Sequence, residues 1–484
     1  MERKWRVLIV VCVAVFMLLL DITVVNVALP DIQRELHTSF TDLQWVVDAY
    51  ALMLATSMLN AGSLGDLLGR KRVFIGGVAL FTVASALCGA ATSPLFLNLA
   101  RGLQGIGGAV MFAVSLAIIA QEFHGRERGT AFGIWGATVG AAVAVGPLVG
   151  GALTTWAGWR WIFFVNLPIG VACVAGAVFE LHESRDEEHG GFDLPGLLTF
   201  SGGLFALVLA LLRGNDWHWG SGRELALYAA AAVLLAVFLV VEWRQEHPMF
   251  DLRLFENRTF TGAQLVAFSI SMSMFSMFLY LTLYLQNYLG YSPIGAGLRF
   301  LPFTLISFFA APLSGKLIGH LPVRALLGGG LGLVGAALVL MAGISIGSSW
   351  TTLLAGFLLG GIGTGTVNPA LATTAIGTVQ PRLAGRASGI NNTFRQVGIA
   401  TGIAIFGALL QSRITSDVGG AAARRVSSGY VADAAQRHAF VSGLNEILYA
   451  AAVIAFVGAV LGVLLVRSSD FALTGRQQPA PDAG

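Results

Sequence analysis

The chain has 484 residues, of which 56% are hydrophobic and only 11% charged, and its mean hydropathy is +0.76. Soluble proteins carry about 25% charged residues, so this composition indicates a protein that lies mostly in a lipid bilayer. The net charge of +3 is too small to indicate a nucleic-acid partner. The three cysteines all fall within apolar runs, which argues against a disulfide framework or a zinc site.

Fourteen apolar runs follow one another along the chain, and each is long enough to cross a bilayer as a helix. The first run continues too far to be the core of a cleaved signal peptide, so we expect it to stay as a membrane helix. An even number of helices places both termini on one side, and most Lys and Arg residues between the helices also fall there. This pattern predicts cytoplasmic termini. The runs cover residues 6–29, 43–64, 73–92, 95–120, 130–154, 161–180, 194–212, 224–243, 260–288, 294–318, 325–347, 351–378, 388–411 and 444–466.

Short matches between the two ends of the chain predict an internal repeat. Each match is weak, but four occur in the same order, at a nearly constant offset and on equivalent helices. We therefore expect helices 1–6 and 9–14 to form two parallel six-helix repeats, with helices 7 and 8 inserted between them. Such repeats are typical of transporters that bind their substrate between the halves. The matches pair residues 65–69 with 315–319, 105–107 with 361–363, 131–134 with 387–390, and Gly146 with Gly402.

A short polar stretch joins helices 2 and 3 at the predicted cytoplasmic face. Charge alone does not distinguish it from any other cytoplasmic loop. In the second repeat, however, Lys316 replaces Asp66 and His320 replaces Arg70, while the turn-forming glycines are kept. We therefore expect Asp66 and Arg70 to latch the cytoplasmic ends of the two halves, with Asp66 capping a helix start of the facing half. The candidate gate residues are Gly62, Asp66, Gly69, Arg70 and Lys71.

Three ionisable residues lie inside predicted helices of the N-terminal half. Asp21 is roughly 22 Å into the membrane at 1.5 Å per residue, where an ionised carboxylate is costly and a proton carrier is plausible. The alternative is a hydrogen-bonded Asp that never titrates. Asp48 is a second candidate, or equally a solvated carboxylate that attracts cations. Arg101 cannot lose its proton and needs a carboxylate, carbonyl or water partner. Because Met277 and Phe357 occupy the positions equivalent to Asp21 and Arg101 in the repeat, the titratable chemistry belongs to the N-terminal half.

Small residues and a proline interrupt helix 5. Gly146, Gly150 and Gly151 permit close helix packing, and Pro147 is expected to bend the helix. Ile403 replaces Pro147 in the repeat, so the bend is expected in one half only. Without further information these residues are as well explained by ordinary packing.

Helix 9 is rich in Met and aromatic residues, one face of which could form an adaptable wall for lipophilic cations. Such a stripe is more often lipid-facing or core. Polar residues near the inner end of helix 13 are candidates for gating or for packing. The candidate substrate contacts from these helices and helix 1 are Asn26, Met274, Phe278, Tyr284, Asn391 and Gln396.

Taken together, these stretches resemble the major facilitator superfamily, and specifically its fourteen-helix drug:proton antiporters. Residues 62–71 match the family's cytoplasmic motif Gly-x-Leu-x-Asp-x-x-Gly-Arg-Lys. Residues 20–30 look like the helix 1 signature, 101–107 like the helix 4 motif, and 146–151 like the helix 5 antiporter motif; 159–170 also match. The resemblance covers nearly the whole chain and implies a role for Arg101 in proton coupling.

We therefore expect an all-α polytopic membrane protein in four parts. These are a six-helix bundle (1–182), a linker with two extra membrane helices (183–258), a second six-helix bundle (259–468, with an external loop at 412–443), and a disordered cytoplasmic tail (469–484). The expected function is proton-coupled efflux of small lipophilic, cationic compounds by a monomer in the bacterial plasma membrane. No cofactor other than the coupling proton is expected.

Two other functions remain open on the sequence. One is the export of a single antibiotic or metabolite. The other, from a different class, is a membrane scaffold or sensor with a vestigial transport fold, although a scaffold would not need buried charge at Asp21 and Arg101. An enzyme is not expected, because no loop is large enough for a catalytic domain and no P-loop motif occurs.

Overall fold

The structure is a computed structural model that describes residues 2–123, 125–184, 193–217, 220–245, 248, 250–318, 320–379, 384–467 and 470. Its described part contains fourteen long helices, as predicted. Twelve of them are long and apolar enough to cross a membrane by length and composition, and α2 and α5 have 29 and 33 residues. The helices are α1 (Arg3–Glu35), α2 (Phe40–Leu68), α3 (Arg70–Gly89), α4 (Pro94–Glu122), α5 (Gly125–Ala157), α6 (Trp161–Glu180), α7 (Leu194–Trp217), α8 (Gly222–Arg244), α9 (Arg258–Tyr288), α10 (Pro293–Leu317), α11 (Val323–Met341), α12 (Trp350–Gly377), α13 (Ala384–Val418) and α14 (Ala434–Leu465).

Serine side chains begin several of these helices. Ser39, Ser93, Ser221 and Ser292 each accept a hydrogen bond from a backbone N–H in the first turn that has no partner within the helix. Two of these serines are followed by proline, whose fixed φ suits the first helical position. These local signals explain why the apolar runs begin as helices at these residues.

The two six-helix bundles pack in the same way. In the first bundle, α2 and α3 pack on α4, α1 packs on α5, and α3 packs on α6; in the second, α10 and α11 pack on α12, α9 packs on α13, and α11 packs on α14. Each contact therefore recurs eight helices later, which confirms the parallel repeat. The inserted helices α7 and α8 pack on each other, and α7 also contacts α2 and α13.

Helix α9 departs from regular α-helical geometry in two places. Ser271–Phe275 and Tyr284–Tyr288 are π-helical turns, and the Ser273 hydroxyl donates to the Ser269 carbonyl at 2.6 Å. A π-helical turn adds a residue to the helical repeat, so each turn rotates the following side chains to a new direction. The face that α9 presents to its neighbours therefore changes along its length.

The segment 412–443, predicted as an external loop with some helix, is mostly helical. Helix α13 continues to Val418, a short helix covers Gly420–Ser427, and α14 begins at Ala434. The chain leaves the helix at Gly419, which has a φ of 80°, and over residues 428–433, which include Gly429 with a φ of 86°. The charged residues of this segment are therefore compatible with helix over most of its length.

The two halves contact each other along α2 and α13, where Thr393 Oγ1 donates to the Ala55 carbonyl at 3.0 Å, and again at one face of the bundle. We call the face that holds the α2–α3 turn at Gly69 the hairpin face, and the other the opposite face. At the opposite face, Gln286 Nε2 donates to the Val27 carbonyl at 2.6 Å, and the Ile294 amide donates to Thr155 Oγ1 at 3.1 Å. Helices α1 and α5 of the first half are thereby joined to α9 and α10 of the second.

Candidate functional site

A buried ion pair lies in the middle of the N-terminal half. Arg101 Nη1 is 2.6 Å from Asp21 Oδ2, and the two residues are 1% and 2% exposed. Asp21 lies near the centre of α1, and Arg101 in the second turn of α4. A buried guanidinium needs an acceptor and a buried carboxylate needs donors, so each residue satisfies the other.

Amides and a hydroxyl complete this pair. Gln104 Nε2 donates to Asp21 Oδ1 at 2.9 Å, while Gln104 Oε1 accepts from Arg101 Nη1 at 2.7 Å. Asn166 Nδ2 donates to the same Asp21 oxygen at 3.3 Å and to Ser85 Oγ at 3.0 Å. The Asp21 carboxylate therefore accepts hydrogen bonds from three side chains, those of Arg101, Gln104 and Asn166. We call these five residues the Asp21 network.

The sequence did not single out three members of this network. Gln104 was within reach of a sequence argument, because a residue one turn after Arg101 lies on the same helix face. Asn166 directly follows Val165, where α6 is interrupted, and Ser85 lies within an apolar run. Their position depends on how α3 and α6 pack, which the sequence pattern does not specify.

Arg101 also contacts α2 through a hydrogen bond and an aromatic ring. Its Nε donates to the Val46 carbonyl at 3.1 Å, and its guanidinium carbon lies 4.2 Å from the centre of the Tyr50 ring. Two residues before Val46 on α2, Gln44 Nε2 donates to the Ile403 carbonyl of α13 at 3.0 Å. A continuous set of contacts therefore leads from the Asp21 network through α2 to the C-terminal half.

Asp48 lies on the same helix and is 0% exposed. Neither of its carboxyl oxygens has a hydrogen-bond partner within the described part of the chain. This placement differs from the solvated vestibule carboxylate that the sequence left open. A buried charge without a partner is costly, so this carboxyl is suited to exist in a neutral form.

The second repeat lacks this chemistry, as predicted. Phe357, equivalent to Arg101, is fully buried against Phe300, and Met277, equivalent to Asp21, is also fully buried. The ion pair of the first half is thus replaced by apolar packing in the second.

The glycines of helix 5 lie where backbones approach closely. A Cβ at Gly150 would be 2.8 Å from the Val24 carbonyl oxygen of α1, and one at Gly146 would overlap the Thr23 side chain. At the contact between the two halves, which we call the seam, a Cβ at Gly151 of α5 would lie 2.7 Å from Ile294 Cα of α10. Pro147 lies within the continuous helix α5, where its carbonyl contacts Gly297 of α10. These residues therefore let α5 touch both α1 and the other half.

The candidate substrate contacts separate into two groups. Met274 and Tyr284 are fully buried, Met274 beside Gly360 of α12 and Tyr284 stacked on Tyr288. Asn391 is also buried and donates to Gln264 Oε1 at 3.0 Å. In this conformation these three side chains pack between helices of the C-terminal half, and their role as substrate contacts stays a prediction.

The other three candidates, Asn26, Phe278 and Gln396, are half-buried. Near Gln396, the half-buried Arg395 donates a short hydrogen bond to Asn368 of α12. These polar and aromatic groups retain surface that a substrate could contact, and their role stays a prediction.

The hairpin contacts its own half. The Lys71 amide donates to Glu183 Oε1 at 3.1 Å, Lys71 Nζ donates to the Val178 carbonyl at 2.7 Å, and the Arg70 amide donates to the Ser184 carbonyl at 3.0 Å. Gly69 has a φ of 103°, which only glycine adopts readily. The side chain of Asp66 lies outside what the structure describes, so the predicted latch stays a prediction.

Metal chemistry has no evident place in the described residues. No group of three or more His, Cys, Asp or Glu side chains within them is arranged to hold a metal ion. The titratable groups at the site are instead those of the Asp21 network and Asp48.

Most of the chain is similar in sequence to known proteins. The chain is 35% identical over 413 residues to the tetracenomycin C resistance and export protein of Streptomyces glaucescens, covering 85% of this chain and 77% of that protein. It is also 35% identical over 438 residues to the multidrug resistance protein Stp of Mycobacterium tuberculosis, covering 89% and 81%. Both alignments span most of each protein.

A solved structure has a similar fold. It is a bacterial homologue of the human lysosomal transporter Spinster in an inward-facing, unoccupied conformation, with a TM-score of 0.65, 19% identity and 99% of both chains covered. The family model described as Major Facilitator Superfamily matches residues 11–403. The chain therefore belongs to the major facilitator superfamily: it is a multi-pass membrane transporter and not an enzyme.

Proposed function

We propose that this transporter exports small lipophilic cations from a bacterial cell in exchange for external protons. The observation that carries the proposal is the buried Asp21–Arg101 pair, which lies in one repeat and is replaced by apolar residues in the other. Relatives named as drug and antibiotic resistance proteins support efflux as the direction of transport.

The hairpin face is proposed to be cytoplasmic. Arg70, Lys71 and Arg72 lie there, as do Arg3 and Lys4 at the start of α1, and basic residues favour the cytoplasmic side of bacterial membranes. Both termini are then cytoplasmic. In this orientation the contacts that join the two halves at the opposite face close the external side.

The proposed proton step acts on Asp21. In the ionised state, its carboxylate accepts from Arg101, Gln104 and Asn166. A proton bound to Asp21 removes the charge attraction to Arg101, whose guanidinium cannot lose its own proton and must rely on its other acceptors. Protonation therefore weakens the link between α1 and α4.

Protonation of Asp21 is also proposed to weaken the contact between the two halves. Arg101 holds α2 through the Val46 carbonyl, and α2 holds α13 through Gln44. When Arg101 moves, α2 and its contact with α13 are strained. Once the external side is open, an external proton binds Asp21 and substrate leaves. After the protein opens inward again, Asp21 loses this proton to the cytoplasm and the ion pair re-forms.

The energy available for this exchange is ample. Moving one charge across 100 mV supplies about 2.3 kcal/mol. Each pH unit adds about 1.4 kcal/mol per proton. Asp48 is proposed as a second group that binds a proton or the positive charge of the substrate, because its buried carboxyl has no partner in the described chain.

The test is transport into inside-out membrane vesicles, with ethidium as the lipophilic cation. Respiring vesicles that contain the protein should accumulate ethidium, and a protonophore should abolish the accumulation. Accumulation that survives the protonophore would contradict proton coupling.

Export of a single compound is the second candidate, because one relative is named for tetracenomycin C alone. A susceptibility panel in an efflux-deficient host distinguishes the two. Protection against several unrelated lipophilic cations supports the broad exporter, and protection against one compound supports the narrow one.

A further inference from the structure

A surface cavity lies at the opposite face, away from the Asp21 network. It has a volume of about 410 Å³ and lies between the α1–α2 turn and the segment that follows the short helix Gly420–Ser427. Its size is within the usual range for sites that bind small molecules. Because the α1–α2 turn belongs to one half and the segment after the short helix to the other, the cavity spans the seam.

The lining of this cavity is basic. Arg34 and His37 come from the first half and Arg425 from the second. Arg34 is paired in part with Asp31 on its own helix, whereas the described residues that line the cavity include no carboxylate beside Arg425. Guanidinium groups bind carboxylate and phosphate groups through parallel hydrogen bonds. This lining favours an anion.

Three lining residues have a buried polar atom without a hydrogen-bond partner in the described chain: Gln33 Oε1, Thr38 Oγ1 and Tyr430 Oη. Gln33 and Thr38 are only 8% and 9% exposed. Buried polar atoms are nearly always hydrogen-bonded, so three orphans around one cavity are unusual. The two hydroxyls can donate to an anion, whereas the Gln33 oxygen requires a donor from the occupant.

The Gln33 amide also joins the two halves. Its Nε2 donates to Ser428 Oγ at 2.6 Å, so the donor side is satisfied and the oxygen remains for an occupant. Burial raises the pKa of the Tyr430 phenol and the nearby Arg34 charge lowers it, which leaves the hydroxyl protonated and able to donate.

We propose that this cavity binds a small anion that carries a free hydroxyl group, with the chemistry of a glycerol phosphate. The negative charge lies between Arg34 and Arg425, the Thr38 and Tyr430 hydroxyls donate to its oxygens, and its own hydroxyl donates to Gln33. The source is either a soluble phosphate ester or the headgroup of phosphatidylglycerol. An occupant contacts both halves and holds the opposite face closed.

Binding to the full-length protein in phosphatidylcholine nanodiscs tests this directly. Calorimetry with sn-glycerol 3-phosphate should show one saturable site per chain, or native mass spectrometry should show one phosphatidylglycerol retained in preference to phosphatidylcholine. The first result identifies a soluble ligand as sufficient, and the second a lipid headgroup.

Two variants establish the location. Arg425→Gln and the isosteric Tyr430→Phe should each weaken binding about tenfold, because the first removes the guanidinium charge and the second a hydroxyl donor to the anion. Arg413→Gln is the matched control, since Arg413 lies near the same face but pairs with Asp417 and Glu446. It should bind as the wild type does. Failure of both probes to bind the wild type, or unchanged binding in both variants, would overturn the proposal.

Slower transport in the presence of the bound anion is a further expected consequence. This consequence alone rests on the proposed transport cycle. The binding measurement does not depend on transport. Failure of the anion-binding proposal can therefore be distinguished from failure of the proposed transport function.

Discussion

Asp21 and Asp48 are both buried carboxyl groups, but their surroundings are opposite. Asp21 accepts from a guanidinium and two amides, while Asp48 has no hydrogen-bond partner in the described chain. A partnered carboxylate can remain ionised inside a protein, whereas an unpartnered one is penalised. The two residues should therefore respond differently to the same substitution.

Replacement of Arg101 should be strongly destabilising. Arg101→Met leaves the Asp21 charge without its cation, at a cost of about 3–5 kcal/mol in the free energy of unfolding. The double variant Asp21→Asn/Arg101→Met should recover part of this loss, because no unpaired charge remains. Denaturant unfolding of the purified variants measures the cycle, and strictly additive losses would show that the pair is not coupled.

Asp48→Asn should leave stability unchanged or raise it, because the carboxyl that it removes has no hydrogen-bond partner among the described residues. Asp21→Asn is the matched comparison and should lower stability, since it weakens a bond to Arg101. Thermal unfolding followed by tryptophan fluorescence compares the two. Equal losses in both variants would contradict the difference in environment.

At the scale of helices, the seam at the opposite face depends on close approach of α5 and α10. A Cβ at Gly297 would collide with the Pro147 carbonyl, and one at Gly151 would lie 2.7 Å from Ile294 Cα. Small residues at these positions allow the two backbones to touch. The small residues and proline at 146–151 of α5 thus contribute to the contact between halves as well as to packing on α1.

Gly297→Ala should loosen this seam. A cysteine at the buried position Val27 on α1 should then react several-fold faster with a membrane-impermeant maleimide, and the three native cysteines are buried and give little background. Gly136→Ala on α5 is the control, because a Cβ there meets nothing within 4 Å. Equal labelling of both variants would show that close approach at Gly297 does not keep the face closed.

The latch prediction concerns the hairpin, which in this structure contacts Val178, Glu183 and Ser184 at and just after the end of α6. Asp66→Asn should slow transport and shift accessibility between the two faces, if Asp66 caps a helix start of the facing half in the externally open state. Lys316→Gln alters the equivalent residue of the second repeat and should have little effect. Unchanged rate and accessibility in Asp66→Asn would refute the latch.

For the molecule as a whole, the architecture was predictable because it depends on patterns that survive in the sequence. Apolar runs long enough to span a bilayer predicted the fourteen helices, and short matches such as residues 105–107 with 361–363 predicted the repeat that equivalent helix contacts confirm. The need of Arg101 for a partner also followed from its chemistry. That the partner is Asp21 did not, because it depends on the rotation of α1 against α4.

The substrate contacts were less predictable. The Met and aromatic residues of α9 suit a cavity wall and a core equally well, and two π-helical turns rotate their direction. Met274 and Tyr284 consequently pack between helices. The extension of α13 to Val418 lies in the segment predicted as an external loop with some helix, because polarity indicates exposure to water and does not specify where a helix ends.

The most direct test of the account is uphill transport in proteoliposomes under an imposed pH gradient. Wild-type protein should concentrate ethidium only while the gradient lasts and should move protons in the opposite direction. Asp21→Asn should let ethidium equilibrate but not concentrate, because Asp21 no longer gains and loses a proton. Full uphill, gradient-driven export by Asp21→Asn would contradict the proposed role of the Asp21–Arg101 pair.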